Sequence, residues 1–362
     1  MEIRLYKNGD GNGINDLFNN YYKKERTYYQ WNWEFAKNPY GCTQVVVDDK
    51  GHIIGTQALL PSFLNIDGIK VFSAKSEATL LNPLYRGKKL FEQMYNVILK
   101  EAKSSGINLI WGFTGATKPF QKAGFTVCEP MSELWLVCSF WKTFICIFKE
   151  KKLGNNLHGI LRAIQLLGGL TYFRLTSLLR NVNFITRSCN LDIRPMDVFD
   201  DNTDKLFDKF VYDNPDLITI WRSKQYLNWR ICQNPYYKHG IIGLYHDNDL
   251  VGYVVFAKDV SRGMMLLVDV LVLNRYAGIG FRILLKEIKR ICKKDELGYI
   301  KFNFVFSGND YCKKLATVIK KHGFCKLPFF SPTVIKVITD NYKDARDINK
   351  WYINSLFTEG TI

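Results

Sequence analysis

Apolar residues recur along this chain in one order that is run through twice. In the first pass Met1–Lys7 alternates apolar and polar positions, the period of a half-buried strand. Val45–Val47 and Ile53–Ile54 are apolar runs separated by Asp48-Asp49-Lys50-Gly51, which predicts a β-hairpin. An apolar run from Ala78 to Leu81 stops at Asn82-Pro83, and beyond the next turn Leu90, Met94, Val97 and Ile98 share one helical face. Ile107–Phe113 predicts a strand, and a short helix is expected to run into Gly124-Phe125. In the second pass a hairpin is predicted over Gly243–Gly252, a strand over Tyr299–Phe306 and a helix over about 310–321, ahead of Gly323-Phe324.

Landmarks tie the two passes together. Trp33-Glu-Phe-Ala-Lys-Asn-Pro-Tyr40 returns as Trp229-Arg-Ile-Cys-Gln-Asn-Pro-Tyr236, a shift of 229 − 33 = 196. The hairpin glycines Gly55 and Gly252 lie 197 apart, Arg86 and Arg275 lie 189 apart, and Lys122 and Lys321 lie 199 apart. Four landmarks in one order at a nearly constant offset indicate a tandem duplication. The expected fold is α+β: two tandem domains, each a mixed, mostly antiparallel sheet flanked by helices. The expected division is a first domain over 1–140, a basic helical bridge over 141–190, a second domain over 191–340 and a C-terminal helical tail over 341–362.

Composition narrows the class. Of 362 residues, 47% are hydrophobic and 15% aromatic, which excludes wholesale disorder. The net charge of +16 suits a polyanionic small molecule, an anionic membrane or nucleic acid, and does not choose among them. The excess is uneven. Between 134 and 190, Lys142, Lys149, Lys151, Lys152, Arg162, Arg174, Arg180 and Arg187 stand against Glu150 alone, 8 − 1 = +7. The nine cysteines stand singly with no Cys-x-x-Cys pair, and the chain opens directly on a strand pattern. Both point to a reduced, cytoplasmic setting. The five histidines show no metal-ligand spacing, so no metal site is expected.

Between the halves, Trp135–Phe148 is apolar but holds Lys142 and is too short to span a bilayer. Its first part is expected to be the last strand of the first domain. The rest, through Leu179, reads as basic amphipathic helices. The stripe Leu157, Ile160, Leu161, Ile164, Leu167 and Leu170 is expected to pack between the domains, with peripheral contact to a membrane surface through 141–190 as the alternative.

The candidate chemistry lies between Thr79 and Phe91. A strand that ends in a turn and opens a helix leaves backbone N–H groups pointing outward, and Arg86, Lys88 and Lys89 surround them. Gly87 lets the chain turn without a Cβ. This combination suits a phosphate or pyrophosphate. The counterpart Arg275-Tyr-Ala-Gly278-Ile-Gly280 has more glycine but lacks the Thr-x-x-x-Pro-x-Tyr approach of the first copy.

In this order, strand, Arg86-Gly-Lys-Lys-Leu-Phe91, helix, strand, short helix and Gly-Phe, each half resembles the GNAT superfamily of N-acyltransferases. The resemblance implies that the turn amides of Arg86, Gly87, Lys88, Lys89, Leu90 and Phe91 hold the pyrophosphate of acetyl-CoA or another acyl-CoA. It also implies that Leu80 and Leu81 pair through their backbones with the pantetheine arm and help polarise the thioester. Lys89 and Phe91 depart from the family's glycine preference. Arg275, Gly278 and Gly280 form the alternative cofactor site, in a second half expected to be degenerate. Glu77, shortly before the turn, is the candidate catalytic base. The tyrosine acid of many relatives is absent, since Phe120 and Ile319 stand at its two positions, and Tyr311 reads as structural. Trp33 and Trp229 read as core packing, whereas Tyr28, Tyr29 and Trp31 are candidate substrate-lining residues.

The resemblance implies an N-acetyltransferase acting by direct transfer to a primary amine. The expected acceptor is a small molecule, for preference an anionic, nucleotide-linked amino sugar; nucleic acid is not an expected partner. The rival readings are a Fem-type aminoacyltransferase using aminoacyl-tRNA and a non-catalytic GNAT-like binding module.

Overall fold

A computed structural model of the protein describes residues 1–151, 153, 157–180, 190–327 and 331–358. The first half runs β1 (Glu2–Leu5), α1 (Asp10–Tyr22), α2 (Tyr28–Glu34), β2 (Thr43–Asp49), β3 (His52–Ile66), β4 (Ile69–Leu81), α3 (Leu90–Ser104), β5 (Leu109–Phe113), α4 (Thr117–Lys122), β6 (Thr126–Pro130) and β7 (Ser132–Val137). The bridge forms α5 (Phe140–Glu150) and α6 (Leu157–Arg180). The second half repeats the plan as β8 (Leu191–Met196), α7 (Asp201–Asp213), β9 (Thr219–Ile220), α8 (Lys224–Leu227), β10 (His239–His246), β11 (Asp249–Asp259), β12 (Met264–Val272), α9 (Ala277–Lys294), β13 (Tyr299–Phe304), α10 (Asp310–Lys321), β14 (Cys325–Leu327) and β15 (Pro332–Val337). Residues 340–357 fold as three short 3₁₀ turns, where the sequence led us to expect a helical tail.

Local chemistry explains these elements. The predicted hairpins close through paired positive-φ residues, Lys50-Gly51 and Asp247-Asn248, the backbone twist that two-residue turns require. α2 begins at a capping box in which Thr27 and Gln30 satisfy each other's backbone N–H groups. α3 buries Leu90, Met94, Tyr95, Ile98 and Ala102 on one face, as its apolar period requires.

The two sheets exchange strands. One is ordered β1-β2-β3-β4-β5-β15-β6, with β9 added beside β3; the other is ordered β14-β7-β13-β12-β11-β10-β8. β7, expected to close the first domain, instead inserts between β13 and β14, and β15 inserts reciprocally between β5 and β6. Each sheet is therefore completed by the other half of the chain. Burial drives the arrangement, because Leu134 and Leu136 of β7 and Val334 and Ile335 of β15 are all buried in the sheets they join.

A pseudo-two-fold axis passes between the repeated tryptophans. Trp33 and Trp229 stack with ring centroids 5.4 Å apart and planes 27° apart. Each indole N–H donates to the other's backbone carbonyl at 3.1 Å. The Asn-Pro-Tyr segments repeat too, with Asn38 Oδ1 accepting from Tyr40 N at 2.9 Å and Asn234 Oδ1 from Tyr236 N at 2.8 Å. The repeat is thus the seam of the molecule, in keeping with a packing role for both tryptophans.

Candidate functional site

The site begins with a fault in β4. Ala58 of β3 faces Glu77, yet Thr56 faces Leu80, so Gln57 opposes two residues, Ala78 and Thr79. Ala78 takes up the extra length with φ of 50°, a conformation that non-glycine residues rarely adopt. Buried polar groups hold the bulge. Gln57 Nε2 donates to Ser76 Oγ at 3.2 Å and to Ala58 O at 2.7 Å, and Thr79 Oγ1 donates to Gln57 Oε1. The Tyr95 hydroxyl lies 2.8 Å from Ser76 Oγ and 3.4 Å from Thr79 Oγ1.

The bulge bends β4 away from its parallel neighbour. β4 and β5 pair only from Ser73 to Lys75 against Leu109 to Trp111, although both strands run on. Where they part, a cavity of about 720 Å³ opens. Its walls are Ser76–Leu80 on one side, Gly112–Gly115 on the other, and α1 with the 23–26 loop above. The second half contributes Tyr236, Tyr237 and Arg262. Gly112 lets the two strands lie close here, because a Cβ would sit 3.0 Å from the Ser76 carbonyl oxygen, tighter than most such contacts.

The deep end of this cavity is charged. Glu34, the last residue of α2, lines it together with Glu77 and Arg26. Burial pushes the Glu34 carboxyl up to about 7, with nearby Glu77 acting in the same direction and Arg26, Lys75 and Arg230 opposing. Arg26 Nη1 lies 3.5 Å from Glu34 Oε2, and Tyr236 donates its hydroxyl to the same oxygen at 3.5 Å. Arg26 is fixed by Asn15 at 2.8 Å and by the Phe18 ring, whose centroid is 3.7 Å away. Glu77 is ion-paired with Lys75, both nearly buried. A carboxyl with its pKa near neutrality beside a cleft of this size is chemically able to accept a proton at physiological pH.

The second half treats the equivalent gap differently. β12 and β13 pair in parallel only from Met264 to Leu267 against Tyr299 to Phe302. Here residues 351–357 of the tail fill the opening, all of them buried. Phe304 bridges Asn354, Val305 N donates to Ile353 O at 3.1 Å, and Asn303 N donates to Ser355 Oγ at 3.1 Å. Asp269, on the strand matching Glu77's, is fully engaged. It accepts from Arg222 at 2.9 and 3.0 Å, from Tyr253 at 2.8 Å and from Asn354 at 2.6 Å.

The residues singled out from the sequence separate accordingly. Glu77 and Leu80 line the cavity. Leu81 points into the core beneath α3. Arg86, Gly87, Lys88 and Lys89 form an exposed turn at the end of β4, with Gly87 at φ 83° and Lys89 in the left-handed N-cap position. Arg86 Nη2 donates to the Tyr21 hydroxyl at 3.0 Å. Leu90 is buried, and Phe91 packs on Tyr95 and on Phe120 of the cavity wall at 4.6 and 5.5 Å. In the second half Gly278 faces open space, whereas Gly280 is a packing glycine whose Cβ would meet Leu244 at 2.7 Å and Val272 at 2.8 Å. The side chain of Arg275 lies over the Tyr276 ring, 5.5 Å from its centroid. The Tyr311 hydroxyl is buried and accepts from Val272 N at 3.1 Å, a structural role.

One expectation is corrected. Tyr28, Tyr29 and Trp31 do not line the cavity. Trp31 is buried against Tyr6, Tyr28 and Phe35, while the first two are largely exposed. Helix geometry gives the reason: Gln30 and Glu34, one turn apart on α2, are the residues turned to the cavity. Glu34 is the residue sequence reasoning missed. Its signal lay in the repeat, where positions 34 and 34 + 196 = 230 carry Glu and Arg, opposite charges directly after the matched tryptophans.

Residues 2–128 match the family model of the acetyltransferase (GNAT) domain. No curated protein matches the sequence. Similar solved structures include a GCN5-related N-acetyltransferase from Anabaena variabilis, at 10% identity and a TM-score of 0.60, covering 93% of this chain and 73% of that one. Eis1 from Mycobacterium abscessus is similar at 11% identity and 0.57, covering 93% and 74%. A tandem GNAT protein from the clavulanic acid biosynthesis pathway is similar at 12% identity and 0.55, covering 93% and 98%. Residues 2–128 are thus similar to a GNAT acetyltransferase domain, and the chain as a whole has the fold of a tandem GNAT protein.

Proposed function

We propose that this protein is an acyl-CoA-dependent N-acyltransferase that transfers an acetyl group to a primary amine, with its working site in the first half. One contrast carries the reading. The gap between β4 and β5 opens onto two buried carboxylates, whereas the gap between β12 and β13 is filled by the chain's own tail. In this reading the turn Arg86–Phe91 and the start of α3 hold the acyl-CoA pyrophosphate, and β4 near Leu80 and Leu81 guides the pantetheine arm towards the bulge. Lys89 supplies an N–H and a positive charge where a glycine would give closer backbone approach.

Glu34 is the base we assign. An amine reaches the cavity as an ammonium ion and must lose a proton before it can attack. Glu34 accepts that proton, the amine nitrogen bonds to the thioester carbon, and the C–S bond breaks. The thiolate leaves, and the second proton, released by the acylated nitrogen, passes to it through water. Glu77, held by Lys75, is the second carboxylate of the chamber and attracts the incoming ammonium. Lys23, Lys24 and Arg262 on the same walls support an acceptor that also carries negative charge, such as a nucleotide-linked amino sugar.

Thermal stabilisation by acetyl-CoA tests the site. At a ligand concentration 100 times the dissociation constant the wild type gains about 2.7 kcal/mol. Lys88→Glu with Lys89→Glu abolishes the gain, and Gly278→Glu leaves it intact. No shift in the wild type refutes the acyl-CoA reading, and loss on Gly278→Glu alone moves the site to the second half. An amine screen with thiol detection then identifies the acceptor.

A further inference from the structure

The bridge buries only part of the stripe that the sequence assigns to packing. α6 turns Ala163 and Leu170 inward, against β7, β14 and α10. Ile160, Leu161 and Ile164 face outward instead, and Tyr172, eight residues or about two turns beyond Ile164, and Leu175 continue the same line. Ile164 is 60% exposed and Tyr172 61%. α5 packs against α6 and adds Trp141, 66% exposed, and Ile145. Of the eighteen large apolar side chains exposed among the described residues, these two helices hold seven. The side chains of Lys152, Leu157, Arg180 and Arg187 lie outside those described.

We propose that the outer face of α5 and α6 is a docking surface for an anionic lipid bilayer. Charge selects this occupant. α6 contains no Asp or Glu, and Arg162 and Arg174 flank its apolar line on opposite sides, with His158 near the first turn. α5 adds Lys149 and exposed Lys151 at its end, where Glu150 is directed to Arg262 at 3.6 Å. A second copy docking through the same face would set these like charges against each other, whereas an anionic surface neutralises them while taking up the apolar stripe. No helix among the described residues is long and apolar enough to cross a membrane, so the contact lies in the plane of the interface. Trp141 and Tyr172 are the residue types favoured at that depth.

Co-sedimentation with vesicles tests the surface independently of any acyltransferase activity. Vesicles of phosphatidylcholine with phosphatidylglycerol at about a third of the lipid bind the protein, and added salt weakens the binding. Pure phosphatidylcholine binds far less. Leu161→Glu with Ile164→Glu lowers the partition coefficient by roughly tenfold or more per residue. Arg162→Glu with Arg174→Glu, which leaves the apolar line intact, lowers it by at least about fivefold per charge. Circular dichroism checks that each variant is folded, so a defect in one is cross-checked by the other. Absence of binding to the anionic vesicles, wild-type binding by both variants, or a dimer in sedimentation velocity that the Leu161→Glu, Ile164→Glu variant dissolves overturns the proposal.

Discussion

Replacing Glu34 by Gln makes the energetic cost of the proposed base measurable without knowing the acceptor. In the folded protein the Glu34 carboxyl titrates at about 7, against an ordinary value of 4.5 in the unfolded chain. At about 1.4 kcal/mol per pH unit, that displacement is worth roughly 3 kcal/mol. Its sign follows from proton binding. Between pH 4.5 and 7 the folded state holds a proton that the unfolded state has released. The stabilising contribution is therefore complete below pH 4.5 and is lost as the pH rises through 7. The substituted glutamine cannot ionise and resembles the protonated acid in shape. The stability difference, Glu34→Gln minus wild type, should grow by roughly 3 kcal/mol from pH 4 to pH 8, because all other titrations are shared. Urea denaturation across that range reads it directly. A difference that stays constant with pH refutes a raised Glu34 carboxyl. The catalytic counterpart is a wild-type kcat/KM that climbs through about pH 7, and a Glu34→Gln enzyme that loses roughly 10²–10⁴ in kcat while acetyl-CoA stabilisation is retained. If Glu77→Gln alone gives that loss, the base is Glu77.

Two further outcomes concern the frame that holds the site. Trp33→Ala and Trp229→Ala should each cost about 3–5 kcal/mol in urea denaturation. Because each indole stacks on the other and donates to its backbone, the double variant should fall short of the sum by about 1 kcal/mol or more, and strict additivity would contradict the seam. Arg222→Ala leaves Asp269 buried without its bidentate partner and should cost about 3–5 kcal/mol, whereas Arg222→Ala with Asp269→Leu should recover part of it; a single variant within about 0.5 kcal/mol of wild type would show that the buried pair is not structurally required.

Much of this architecture was legible in local pattern. The turns at Lys50-Gly51 and Asp247-Asn248, the apolar face of α3 and the order of strands and helices all follow from residues close in sequence. The duplication was legible because whole motifs return at a near-constant offset. The parting of β4 and β5 was not. It depends on Gln57 meeting two residues of another strand and on the Ser76, Thr79 and Tyr95 hydroxyls closing around it. Each of those residues alone is an ordinary polar side chain.

Two features could be read from the residues alone: a repeated α+β plan, and a basic strand–turn–helix in the first copy. Periodicity and turn chemistry act over a few residues, so both are written locally. Tertiary structure decided the rest. The exchange of β7 and β15, the tail lying in the second gap, the outward face of α6 and the burial of Glu34 are contacts between residues far apart in the chain. A carboxylate's affinity for its proton is set by what surrounds it, and no window of sequence around position 34 contains Arg26's guanidinium, Glu77 and Arg230 together.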